Sequence, residues 1–352
     1  MVSKLQTWDD VRQAFDALYA EPFRRPSTRT QMRITLRRLE RFALAPGDVD
    51  VVCIQRLAAD VARRCCGQTV NTVMRQCRTV CRKLLALGAL ERDPFAVQSF
   101  RVRPTRSAAR GRRWFSVEEI SRALAVADAE AAGLDSRPLN LLRLPVAEGP
   151  ARPRRASADW KAGRRRALLY LLAYCGLRAG EALHLRPADV ELWRRDQAGR
   201  VWSAVVIRSG DGWQTKTAAS EAPVPLAEPA AQVLGAWLRW CGPHWVFPCS
   251  TRPDRPWTSG GPGAKPCHEL RALGLRAGLD GLTLLSLRHS WATNARTVWG
   301  LGRDQVRLVL RHTRDSTQDD WYVHRDGAAL AGMLAPVVSF SKGVNDAATG
   351  VD

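Results

Sequence analysis

Apolar residues recur at helical spacing along nearly all of this 352-residue chain, and the pattern falls to strand period in one window only, between Val201 and Leu226. That contrast fixes the fold class: most of the core is helix packed on helix, with room for one small antiparallel sheet. In the first hundred residues four helices are expected, over 7–20, 28–45, 51–65 and 69–87. Thr7 and Asp10 open the first in capping-box fashion, Ser27 is placed to cap the second, and Gly88 stops the fourth. No strand is expected there, and residues 1–99 read as one helical domain. Residues 100–113, FRVRPTRSAARGRR, have no apolar period and read as a basic linker. A second domain, 114–340, starts at a Ser116/Glu119 capping box whose helix runs to about 131. The proline-rich stretch 133–161 reads as an insertion, 162–175 as a core helix, and 341–352 as a tail. Within the strand window, 201–207 is expected to pair through a turn at Gly210–Gly212 with 213–217, with 224–226 as a third strand. Helices resume at 228–240 and 268–277.

Charge narrows the partner. The formal balance is +20, and only six of the 54 basic side chains are lysines. Such a chain calls for a polyanion, nucleic acid first and a membrane surface second. No stretch approaches the roughly 18 apolar residues that a membrane span needs, and the opening MVSKLQTWDDVRQ has no leader-like apolar block. The nine cysteines are odd in number and lack metal-ligand spacing, so free thiols in a reducing cytoplasm are expected. Arg75, Arg78, Arg82 and Lys83 fall near one face of the fourth helix. That face is either simply solvated or tracks a DNA backbone, and the overall charge favours the latter. Arg101, Arg103, Arg106, Arg112 and Arg113 give the linker the same potential.

The chemistry-bearing residues cluster late. Arg178 and Glu181 sit one turn apart in GLRAGEALHLRPADV. Taken alone they make an ordinary i, i+3 ion pair, but the apolar surroundings speak against a surface pair. Arg288 and His289 open a helical segment, and His312 follows an apolar turn. Tyr322 stands in a polar stretch, whereas Tyr170 and Tyr174 lie in the expected core helix and read as packing. Guanidinium forks match phosphate oxygens and keep their charge. A tyrosine, with an ordinary pKa of about 10, becomes a nucleophile only in such a cationic site.

These stretches resemble the two boxes of the tyrosine recombinase (phage integrase) family. The first run follows the family's G-L-R-x-x-E-x-x-x-L-x-x-x-D, with its arginine at Arg178. The family's H-x-L-R-H reads here Leu285, Ser286, Leu287, Arg288, His289, and its Leu-Gly-His reads Leu310, Arg311, His312. Two departures result: Leu285 replaces a histidine that donates near the scissile phosphate, and Arg311 replaces a glycine, a change tolerable if its side chain is exposed. The resemblance implies a mainly α fold with a small antiparallel β-sheet. A helical, SAM-like N-terminal core-binding domain would precede a mixed α/β catalytic domain. It also implies site-specific cleavage and rejoining of DNA through a 3′-phosphotyrosyl intermediate on Tyr322. Arg178, Arg288 and His312 would hold the phosphate, Lys216 in QTKT would protonate the leaving 5′-hydroxyl, and Glu181 and His289 would support. It calls for no metal or cofactor, and for self-association as a tetramer on paired sites. Two alternatives stay open: a catalytically impaired relative that only binds DNA, and a type IB topoisomerase-like activity.

Overall fold

A computed structural model describes residues 5–18, 26–96, 100, 102, 114–132, 157–197, 199–210, 212–215, 220–258 and 265–311. They divide into two compact units, Met1–Gly111 and Arg112–Asp352.

The first unit holds α1 (Trp8–Leu18), α2 (Pro26–Glu40), α3 (Val51–Arg64) and α4 (Gly67–Ala86). Thr7 and Asp10 exchange the expected capping bonds. Because α2 already starts at Pro26, Ser27 lies inside the helix rather than capping it. The same helix stops at Glu40, short of the expected 45, and Ala45, the residue before Pro46, is extended. Asp50 caps α3 by accepting from the Cys53 amide at 2.7 Å. Phe15, Leu36, Leu39, Ile54, Leu57 and Leu84 fill the core, and the Trp8 indole donates to the Ala43 carbonyl. On α4 the apolar side from Val70 to Leu84 is buried, while Arg75, Arg78, Arg82 and Lys83 are exposed.

In the second unit α6 (Ala158–Cys175) is the hub, with α5 (Val117–Glu130), α8 (Glu228–Leu238), α9 (Pro266–Arg276) and α10 (Leu284–Thr297) packed on it. The hub starts four residues earlier than its apolar spacing suggests, because Ser157 caps it through the Trp160 amide and Trp160 is fully buried. Arg164, also fully buried, lies 3.5 Å over the Trp257 ring and donates to the Pro248 carbonyl and to Glu269. Burial lowers its pKa to about 10, so it stays cationic at neutral pH. On α10, Ser290 accepts from the Phe115 amide, Asn294 donates to the Phe115 carbonyl, and Trp291 donates to the Tyr174 carbonyl. These bonds fix α10 against both α6 and the segment entering α5. The Ser116/Glu119 capping box forms as expected.

The sheet differs from expectation. Its antiparallel order is β1 (Val190–Arg195), β2 (Val201–Val206), β3 (Pro223–Pro225). Trp213 makes only an isolated bridge to Gly210, so among the described residues the partners of β2 are β1 and β3, not 213–215. The alternation of β1 is masked by Glu191, Arg194 and Arg195 and by a bulge, where Trp193 adopts a φ of 56°. The helical majority and small antiparallel sheet otherwise match the expected class. Among the described residues no helix is long and apolar enough to cross a membrane. All nine cysteines are free thiols; burial pushes Cys77 up to about 12.

Candidate active site

The site forms where α6 ends. Gly176 closes that helix at a φ of 57°, a backbone state that glycine adopts without penalty. Glycine is required for space as well: a Cβ there would lie 2.9 Å from Leu310 and 2.9 Å from Trp291. The sharp turn places Arg178 at the N-cap of α7 (Ala179–Leu183). Its backbone amide donates to Glu181 at 2.8 Å, and its Nη1 donates to Glu181 at 2.7 Å and to Ser220 at 3.2 Å. The Glu181 side chain is 2% exposed, that of Arg178 28%. Nε and Nη2 of Arg178 make no hydrogen bond within the described residues. One edge of the guanidinium is therefore anchored, and the other is available.

Arg288 approaches from α10. It is buried, and it donates from Nη1 to the Gly176 carbonyl at 2.7 Å and from Nη2 to the Leu310 carbonyl at 2.8 Å. Burial first, and the neighbouring Arg178 charge second, lower its pKa to about 9. The group still carries its proton at neutral pH. From the end of α11 (Arg303–Val309) comes a third guanidinium, Arg311, which pairs with the other Glu181 oxygen. Two arginines thus share one carboxylate, and Arg288 adds a third positive charge, an excess suited to a bound oxyanion.

Arg311 corrects the sequence reading. It was tolerable as an exposed replacement for glycine, yet it is 2% exposed and has the left-handed φ of 52° that explains why glycine fits there. Its signal was legible in part, since it directly continues the buried apolar run Val306, Val309, Leu310. Ser220 gave no sequence signal. Leu285 is 60% exposed, one turn before Arg288 on α10, and so is not packed into an adapted core. His289 is half-buried, and its carbonyl accepts from Thr293. Lys216, His312 and Tyr322 lie outside the described residues, as do Arg101, Arg103, Arg106, Arg112 and Arg113. Tyr174 is buried as expected, and Tyr170 donates to Asp128 while burial raises its pKa.

A helical scaffold that gathers arginines at a helix turn, in so basic a chain, has donors of the kind that match phosphate oxygens. Residues 155–328 match the phage integrase family and form a domain of that family. It is 35% identical over 168 residues to the tyrosine recombinase XerC of Rhizobium meliloti (strain 1021). That match takes in 46% of this chain and 46% of the relative, so the chain spans less than half of the curated relative's length. Among solved structures, a lambda integrase tetramer bound to a Holliday junction superposes with a TM-score of 0.58 at 13% identity, covering 89% of this chain and 79% of that one. The XerH site-specific recombinase bound to difH substrate gives 0.56 at 13% identity, covering 88% and 79%. At these identities the two structures speak for the fold.

Proposed function

We propose that the chain is a site-specific DNA recombinase that cuts and rejoins strands through Tyr322. The observation that carries this reading is the pose of Arg178: one guanidinium edge is tied to Glu181 and Ser220, the other is unbonded among the described residues, and cationic Arg288 stands beside it. Donors already held in place stabilise developing charge without reorganising when the reaction occurs. The two carbonyls on Arg288 fix it in this way. In the reaction the Tyr322 oxygen attacks a DNA phosphorus, and the bond to the 5′-oxygen breaks. Arg178, Arg288 and His312 stabilise the charge on the non-bridging oxygens, and Lys216 gives a proton to the leaving 5′-oxygen, which departs as a hydroxyl. Attack by a partner strand's 5′-hydroxyl reverses the step, so no external energy source enters. Glu181 orients Arg178, and His289 supports α10.

DNA is the substrate because the excess of 20 positive charges and the exposed Arg75, Arg78 and Arg82 face of α4 suit a phosphate backbone. The basic linker arginines would extend that track. The Holliday-junction tetramer formed by lambda integrase suggests assembly of four chains on paired sites here as well. Domains of 1–99 and 114–340, joined by 100–113, are the proposed functional division.

One observation favours a second reading, in which the chain binds DNA without turnover: exposed Leu285 supplies no donor where the family has a histidine. A nicked suicide duplex separates the readings. The reading given first expects a covalent protein–DNA adduct to accumulate. Duplex binding without an adduct would establish the binding-only reading. Relaxation of plasmids that lack any specific site would point to topoisomerase-like activity.

A further inference from the structure

We propose that Arg311 is a positioning residue: it holds Glu181, and through it Arg178, in the phosphate-facing pose, and it keeps Glu181 from cancelling the Arg178 charge. This inference rests on the recombinase reading of the same site. Its basis is how the Glu181 carboxylate is divided. One oxygen accepts from Arg178 Nη1 at 2.7 Å. The other accepts from the Arg178 backbone amide at 2.8 Å and from Arg311 Nη2. Arg311 is fixed in turn by its Nη1 bond to the Val309 carbonyl at 3.1 Å. A continuous path therefore joins the end of α11 to the N-cap of α7.

Two features of Arg311 are unfavourable in themselves. A non-glycine residue in left-handed backbone is strained, and a guanidinium taken out of water loses its hydration. Neither is needed to build the turn, because glycine would satisfy the backbone without strain. What the arginine adds is charge next to Glu181. Without it, Glu181 and Arg178 form a one-to-one pair whose charges cancel. With it, one carboxylate is shared between two cations, and Arg178 keeps more of its field for a phosphate. The gain falls where Leu285 leaves the site one donor short.

The test uses the full chain and single-turnover adduct formation on a nicked duplex. Arg311→Met should lower the maximal rate about tenfold or more, by the scale for preorganised donors, with duplex affinity nearly unchanged. Arg311→Lys should restore most of that rate. In a Glu181→Gln background the Arg311→Met effect should disappear, since the two residues act as one unit. Thermal stabilisation by inorganic sulfate provides a readout that needs no cleavage, and Arg311→Met should shift its midpoint to several-fold higher sulfate. A folded Arg311→Met with wild-type maximal rate and sulfate midpoint overturns the proposal, as does an undiminished effect in the Glu181→Gln background. If the wild type forms no adduct, the recombinase reading fails, and the sulfate midpoint alone decides the positioning role. Should Arg311→Met not fold, Arg311→Gly is read in its place. If neither folds while Arg311→Lys matches the wild type, the role is purely structural and the proposal falls.

Discussion

Replacing Leu285 by histidine should accelerate strand cleavage. Leu285 lies three residues before Arg288 on α10, and residues at that spacing have Cβ atoms about 5–6 Å apart. Its side chain is 60% exposed. The exchange therefore opens no cavity and buries no polar group, and a surface change of this kind alters stability by about 0.5 kcal/mol or less. Removal of one preorganised donor from an oxyanion site costs roughly 10²–10³ in rate, or about 2.7–4 kcal/mol. At an exposed position water competes for the new donor, so the gain should fall at or below the bottom of that range. A gain of about 10–100-fold, roughly 1.4–2.8 kcal/mol, is expected. The assay is single-turnover adduct formation on a nicked duplex, with thermal unfolding as control and His289→Ala alongside. His289 is one step further round the helix, about 100° from Arg288, and its loss should reduce stability more than rate. A Leu285→His protein that folds normally and cleaves no faster would refute the missing-donor argument. Cleavage lost with stability intact in His289→Ala would show that His289 has taken the role.

Gly176→Ala should destabilise the protein by about 2–4 kcal/mol in chemical denaturation, from left-handed strain together with overpacking; the contacts are Leu310 and Trp291, each 2.9 Å from the added Cβ. A loss below about 0.5 kcal/mol, the size of an ordinary surface change, would contradict the close packing at the turn. His184 stacks on Trp213 with ring centroids 4.7 Å apart, and burial holds its pKa below the ordinary value. The unfolded chain then binds that proton more readily, so stability should fall as pH drops through about 6.5, by at most about 1.4 kcal/mol per pH unit. His184→Phe should flatten this slope between pH 7 and 5; an unchanged slope would assign it to other groups.

The helical elements were legible because each buries one face at a regular spacing. The α4 stripe from Val70 to Leu84 opposite Arg75, Arg78 and Arg82 shows it plainly. β1 was not legible, since its charged alternate residues and the bulge at Trp193 erase the strand period. At the site, Arg178, Glu181 and Arg288 could be picked out because they stand in the two runs that resemble the integrase boxes; taken alone, Arg178 and Glu181 read as an ordinary ion pair. The part played by Arg311 could not, because whether an arginine after an apolar run turns outward or inward depends on a partner 130 residues away in the chain. The Gly176 and Leu310 carbonyls that fix Arg288 are backbone groups, which no side-chain pattern records.

The proposed reaction joins Tyr322 covalently to DNA. Peptide mapping of a trapped adduct tests it most directly: the wild-type protein is reacted with a nicked duplex, digested, and the nucleotide-bearing peptide is sequenced by mass spectrometry. A 3′-phosphotyrosyl linkage at Tyr322 is expected, with no adduct from Tyr322→Phe, which should still bind the duplex. A linkage on any other residue, or an adduct that persists in Tyr322→Phe, would contradict it.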